Sequence, residues 1–171
     1  MTALRSERLR IETLTQDEAA AIRSDDRTGR AWAPDYPSDG DRIVAGVIGE
    51  AGAAYDESSP IGVYQLRLVA DGTAVGGVGF LSAPLDGEAE IGYGLAPSAT
   101  HQGYATEAVR AVLVHAAHHD VRRVVAMTDP DNVASHAVLR RVGFERDGEI
   151  SSDDGVLLRW TIPVAEVQPS A

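Results

Sequence analysis

The chain has 171 residues, 44% apolar and 24% charged, the profile of a soluble globular protein long enough for one core. Its 26 acids against 15 basic residues leave a net charge of −11, which argues against nucleic acid or a polybasic membrane contact as the main partner. Cysteine and lysine are both absent, so thiolate zinc sites, cysteine nucleophiles, Schiff bases and Walker-type phosphate lysines are excluded.

Taken in order, the opening Met1 to Arg10 lacks the apolar core of a signal peptide, and no apolar run reaches membrane length. The expected location is the cytoplasm. Arg8 to Thr13 alternates Leu9, Ile11 and Thr13 with charged residues and predicts a strand. Thr15 stands three residues before Glu18, the spacing of a capping box, and predicts a short helix through Ala19 to Ile22. Arg30 to Asp41 is rich in Pro, Gly and Asp and reads as a loop carrying Trp32 and Tyr36. Ser38 or Asp39 caps a second helix through Ile43, Val47 and Ile48. Asp56 to Pro60 is another loop.

Strands follow over 61–69 and 75–81, joined by the hairpin turn Asp71-Gly72, and over 88–95 after a turn at Pro84 to Gly87. The period then changes. Ala105, Val109, Val112, Leu113 and Ala116 share one face of a helix from about Gly103 to His118. Arg123 to Met127 reads as a buried strand. Asp131 or Asn132 caps a helix that Gly143 stops, and strands close the order over 144–148 and 156–162. Pro163 to Ala171 is expected to be a mobile tail, which leaves one domain over 1–162. The fold class is a mixed α/β (α+β) sheet with helices on it, not a doubly wound dinucleotide fold.

The most informative segment is Thr100-His101-Gln102-Gly103-Tyr104-Ala105-Thr106-Glu107-Ala108. It joins a strand to a helix, and its small residues leave backbone N–H groups uncovered at the positive end of the helix dipole. That is an anion site fit for a diphosphate. Asn132 and Ser135, three apart, then share the face of a second helix start that runs on to Gly143-Phe144.

Together, Glu90 to Pro97, Gly103 to Ala108, Asn132 to Ser135 and Gly143-Phe144 resemble the GNAT superfamily of acyl-coenzyme A-dependent N-acyltransferases, closest to its RimJ/RimL-like branch. The resemblance implies a mostly antiparallel sheet of six to seven strands, splayed in a V, with about four helices. It implies acetyl-CoA as acyl donor, its pantetheine arm completing the sheet in the V as an added strand would. Tyr93, Gly94 and Leu95 would supply backbone groups to the arm, His101, Gln102, Gly103, Tyr104, Ala105 and Thr106 would hold the diphosphate, and Asn132 and Ser135 would contact the lower arm or the sulfur. The chain departs from the family pattern at Thr100, where Arg or Gln is usual. It also departs at Met127 and Leu139, where relatives with an acid–base pair carry Glu and Tyr.

The implied reaction is direct attack of an amine on the thioester in a ternary complex. It needs a base, an oxyanion donor and a group for the departing sulfur. Glu90 is the first candidate base, with Glu88 on the same strand face as second choice and as an acceptor-binding residue. The Leu95 N–H is the oxyanion candidate and Ser135 faces the sulfur. Trp32 and Tyr36 are the candidate acceptor-pocket residues, and Asp35, Asp39 and Asp41 favour a positive acceptor. Asp153 and Asp154 are further carboxylates within reach. The acid supports this division: residues 1–90 carry 16 acids against 8 Arg, whereas residues 91–171 carry 10 against 7. His115, His118 and His119 have metal-compatible spacing but read better as residues closing a helix, so no metal is expected. His101 and His136 are placed near the cofactor.

The leading function is therefore N-acetyl transfer from acetyl-CoA to a primary amine, on a small molecule or a protein N-terminus, by a monomer or homodimer with no nucleic-acid or membrane partner. The alternatives are a catalytically inactive acyl-CoA sensor or scaffold, and a module that binds a basic partner through its acidic face.

Overall fold

Local hydrogen bonds begin and end most elements. In the computed structural model, which describes residues 3–152 and 155–167, the Thr15 hydroxyl accepts from Glu18 N–H at 3.1 Å and opens α1 (Gln16–Ser24). Ser38, not Asp39, caps α2 (Asp39–Ala51). Its hydroxyl takes the Asp41 N–H and the Asp41 carboxylate takes the Ser38 N–H, a reciprocal capping box. Asn132 accepts from Ser135 N–H at 3.1 Å to open α4 (Val133–Val142), and Gly143, at φ 112°, closes it in a conformation that disfavours any side chain.

The strands are β1 (Ala3–Arg5), β2 (Leu9–Thr13), β3 (Val63–Leu68), β4 (Ala74–Phe80), β5 (Glu88–Leu95), β6 (Arg123–Thr128), β7 (Glu145–Ser152) and β8 (Gly155–Pro163). They form one sheet in the order β1-β2-β3-β4-β5-β6-β8-β7. Only β5 and β6 run parallel. Eight strands exceed the six to seven expected. The extra one, β1, is a three-residue edge strand on β2, too short to give a period. The architecture is otherwise the mixed sheet with four α-helices that the element order implies.

Period-two alternation sorts the sheet's faces. Gly77 and Gly94 look toward α2, where a Cβ on Gly77 would stand 3.0 Å from Asp41 Oδ1 and one on Gly94 3.9 Å from Ser38 Oγ. Tyr64 looks the other way, and its hydroxyl donates to the Pro60 carbonyl, which also meets His115 Nε2 of α3 (Tyr104–Ala116) at 2.8 Å. Helix α3 thus covers the opposite face, packed on β1, β2, β4 and β5, with α4 beside it. The core runs through both halves of the sheet, from Leu9, Ile11, Tyr64 and Leu66 to Leu139, Trp160 and Ile162.

Several expectations need correcting. Helix α2 begins at Asp39, as a Ser38 cap implies, but it turns Ala45 and Ile48 inward while Ile43 and Val47 stay exposed. Helix α3 ends at Ala116, so His118 and His119 lie in the following turn. The chain past β8 is packed rather than loose as far as Val167: Val164 is buried and donates its N–H to Arg122 O at 3.1 Å. Residues 168–171, like Asp153 and Asp154, lie outside the described residues.

Candidate active site

The central feature is a failure of pairing. β5 and β6 are in register at Glu88, Ala89 and Glu90 with Arg123, Val124 and Val125, and there the pairing stops. Beyond it β5 bonds only β4, and β6 only β8. The β6-facing edge of residues 91–95 is left open. The direction of its amides follows from the ladder: Ala96 N–H donates to Val75 O at 2.8 Å, so Gly94 and Gly92 also face β4, and Tyr93 and Leu95 point their N–H groups into the gap.

A cleft of about 720 Å³ occupies this gap. Tyr93, Gly94 and Leu95 line one wall, and Asn132, Ser135 and Val138 of α4 line the other. At one end sits the turn before α3, contributing Thr100, His101, Gly103, Ala105 and Thr106. Gly103 is at φ +84° and His101 at φ +61°. No side chain caps α3, and among the described residues no protein acceptor takes the N–H groups of His101 to Thr106. That leaves a cluster of free donors at the positive end of a 13-residue helix, an anion site by construction. Arg8, Arg110 and Arg141 surround the same turn in an adjoining hollow. Arg8 is held there by Glu107, whose carboxylate takes the Arg8 N–H and Nε, each at 2.8 Å.

A second cavity, of about 250 Å³, lies under α2 on the other face and shares only Tyr93 and Gly94 with the first. Its floor has no side chains. Gly77 pairs with Gly94 and Gly79 with Gly92, on either side of Val78–Tyr93, so two successive cross-strand pairs on this face are all glycine. Its walls and roof include Leu14, Val63, Gln65, Val44, Tyr36 and Asp41. Asp41 is 9% exposed, and burial raises its carboxyl above the ordinary range, against the Ser38 bonds and Arg42, which lower it. Tyr36 is pushed up by burial and by the Asp41 charge, so it stays a phenol.

The expected site residues divide accordingly. Tyr93, Gly94, Leu95, His101, Gly103, Ala105, Thr106, Asn132 and Ser135 all line the cleft. Gln102 and Tyr104 do not line it. The Gln102 amide donates to Ser98 O at 3.2 Å, and Arg8 covers the Tyr104 ring at 4.7 Å. Glu90 lines neither cavity. It stands four residues from Gly94, about 13 Å along the strand at roughly 3.3 Å per residue. Glu88 is paired with Arg159 at 3.1 Å.

Trp32 is packing, not pocket. Its Nε1 donates to Glu18 at 2.7 Å, and its ring sits edge-on behind Tyr36 at 5.3 Å. Asp35 accepts from Ser98 and Asp39 faces solvent, so of the loop acids only Asp41 reaches a cavity. His136 is buried against Trp160 and bonded to Thr128 Oγ1 at 3.1 Å, away from the cleft. His115 is bound to a carbonyl, and no metal-binding group of side chains occurs among the described residues.

A family model described as "Acetyltransferase (GNAT) domain" matches residues 8–145. The chain belongs to the GNAT acetyltransferase family. Among curated proteins it resembles "Uncharacterized N-acetyltransferase YnaD" of Bacillus subtilis (strain 168), 33% identical over 60 residues. That match spans only 34% of this chain and 35% of that protein. Among solved structures, a GNAT-family acetyltransferase from Bacillus anthracis superposes with a TM-score of 0.70 at 19% identity, covering 96% of this chain and 100% of the other. Mycobacterium smegmatis RimJ, solved with CoA-disulfide, has a TM-score of 0.66 at 24% identity, covering 99% and 89%. At these identities the likeness is one of fold, and it spans nearly the whole GNAT chain.

Sequence reasoning missed two features of this GNAT site. Arg110 and Arg141 beside the anion turn lie 31 residues apart in sequence, but the Arg110 guanidinium donates to the Arg141 carbonyl. Asp41 was legible only as one acid among several in a loop. Its capping-box position three residues after Ser38 was the signal that fixes it over the glycine floor.

Proposed function

We propose that this GNAT protein transfers an acetyl group from acetyl-CoA to a primary amine by direct attack in a ternary complex. The observation that carries the reading is the open edge of β5, whose Leu95 N–H faces a cleft that ends on the free amides before α3. A thioester lying along that edge meets the Leu95 N–H as an oxyanion donor, while the diphosphate lies on the amides of His101 to Thr106 with Arg8, Arg110 and Arg141 around it. The arm bonds the open strand edge, and Asn132 and Ser135 face it from α4.

In the reaction the amine nitrogen attacks the acetyl carbon. A C–N bond forms and the C–S bond breaks. One proton leaves the ammonium before attack, and a second passes from the nitrogen to the departing sulfur, which the Ser135 hydroxyl positions. A metal has no role in this scheme. The reading places the protein in the cytoplasm as a monomer or homodimer, with no nucleic-acid or membrane partner. Among the described residues, no helix is long and apolar enough to cross a membrane.

The test is amine-dependent thiol release from acetyl-CoA, with calorimetry for cofactor uptake. Ser135→Ala is expected to lower turnover about tenfold, the scale of one hydrogen bond of roughly 1.4 kcal/mol. Uptake of acetyl-CoA without release for any amine would favour the sensor reading, and no uptake would remove both.

A further inference from the structure

We infer that the acceptor is a primary amine bearing one compact apolar group, seated under α2 with its ammonium on Asp41, and that Asp41 takes the ammonium proton. This deepens the acetyl-transfer reading and rests on it.

The chemistry of the cavity under α2 selects the substrate class. Its floor is the Gly77–Gly94 and Gly79–Gly92 pairs, and most of its side-chain surface comes from aliphatic residues such as Leu14, Val44, Val63 and Leu81. Of its five lining residues with polar side chains, Tyr64 and Tyr93 give their hydroxyls to the Pro60 and Ser135 carbonyls, which leaves Tyr36, Gln65 and Asp41. The Gln65 amide already donates to Glu18 and to the Tyr36 hydroxyl, at 2.9 and 3.0 Å. Among the described residues Asp41 is the one carboxylate in the lining. Its Oδ2 takes the Ser38 N–H and hydroxyl at 2.9 and 2.6 Å, and its Oδ1 faces the floor, 3.0 Å from where a Gly77 Cβ would stand. The pocket therefore offers one anchored negative charge in an apolar room.

The room's size and rim agree. About 250 Å³ is just under the roughly 300–1,000 Å³ usual for small-ligand sites, so the ligand is compact. Ile43 and Leu81, both lining residues, stand 69% and 53% exposed, and Val47 continues the apolar strip one turn along α2. The second cation of a polyamine or a lysine-rich peptide gains no ion pair from the lining of the pocket, whereas an apolar group gains contact with this strip. The exposed acids Asp35 and Asp39 line no part of it.

The position is also right for the chemistry. The cavity meets the cofactor cleft at Tyr93 and Gly94, next to the Leu95 N–H. Ser38, bonded to Asp41, lies over Gly94. An amine held on Asp41 Oδ1 is thus close to the acetyl carbon. It gives one proton to the carboxylate, directly or through water, and attacks as the neutral base.

Initial rates with hexylamine, phenethylamine, a tripeptide amide beginning with Leu, and spermidine test this, beside calorimetry of hexylamine binding to the CoA-loaded protein. The apolar monoamines should exceed spermidine at least tenfold in kcat/KM. Turnover of hexylamine alone would assign a free small amine, and turnover of the Leu peptide would assign a protein N-terminus. Asp41→Asn should lower kcat/KM at least a hundredfold, with partial rescue in Asp41→Glu. Because an Asn carbonyl oxygen can still accept the Ser38 N–H that Asp41 accepts, the Asn variant should keep its acetyl-CoA affinity. Gly77→Ala should raise the amine KM with acetyl-CoA affinity unchanged. Preference for spermidine, or an Asp41→Asn enzyme as active as the parent, would overturn the inference while leaving acetyl transfer standing. Hexylamine uptake that depends on Asp41 but yields no product would keep the pocket and remove acetyl transfer. The absence of both uptake and turnover of the apolar amines would overturn the inference.

Discussion

Gly103 tests the anion turn because two effects can be separated there. It is at φ +84°, and the nearest atom to an added Cβ is Arg8 Nη2, 3.3 Å away. Gly103→Ala therefore adds little crowding but forces a left-handed conformation that costs an L-residue about 1–2 kcal/mol. For a domain of this size that lowers the melting temperature by roughly 2–8 °C, at about 2–4 °C per kcal/mol. Gly103→Glu carries the same backbone cost and, where the diphosphate lies on this turn as proposed, adds a negative charge at the roughly 6 Å over which neighbouring charges act strongly. Each charge pair at that distance is worth roughly 0.7 kcal/mol in a water-like dielectric and about 2.8 kcal/mol at an effective value of 20. The Glu variant should thus bind acetyl-CoA about 3- to 100-fold more weakly than the Ala variant for each phosphate charge it meets. The excess should shrink as salt rises past about 0.1 M, where the screening length falls to roughly 10 Å. Calorimetry at two ionic strengths reads both quantities. If the two variants bind alike, or if their difference ignores salt, the diphosphate does not lie on this turn.

Glu90→Gln should leave kcat/KM within about twofold, the scale of a surface change of 0.5 kcal/mol, because the side chain lines neither cavity. A large loss in steady-state assays would return the base to β5. Glu18→Ala should be costly. Its buried carboxylate takes Trp32 Nε1, Gln65, Arg30 and Arg67, and breaking such a network costs about 3–5 kcal/mol, seen as a fall of roughly 6–20 °C in melting temperature. Arg141→Ala should weaken acetyl-CoA binding and flatten its salt dependence in calorimetry, since Arg141 lines both the cleft and the hollow beside the anion turn.

Much of this protein is local chemistry, and that part was legible in the sequence. Thr15, Ser38 and Asn132 cap helices because a short polar side chain reaches an amide two or three residues on, whatever lies elsewhere in the chain. Asp71-Gly72 turns a hairpin, Gly143 ends a helix and Gly103 opens one through backbone angles that glycine tolerates. The donor cluster before α3 belongs to the same class, since unbonded amides at a helix start need no distant partner. The element order and the donor cluster proposed for the diphosphate followed from these signals.

The cavity proposed for the acceptor did not, because it depends on register between segments far apart in the chain. Glycines at 77, 79, 92 and 94 are only small residues until β4 and β5 pair them two against two and empty the floor beneath α2. Glu90 looked well placed because it precedes Leu95 on one strand, yet a strand extends too far per residue for that nearness to survive. Trp32 had the composition of a pocket wall, and only packing shows its indole turned to Glu18. The gap between β5 and β6 exists because their pairing ends at Glu90 and Val125, and no local sequence signal marks where two strands part. Short-range hydrogen bonds and backbone angles were thus set by the sequence itself. The cavities, being spaces between elements, were decided by how those elements came together.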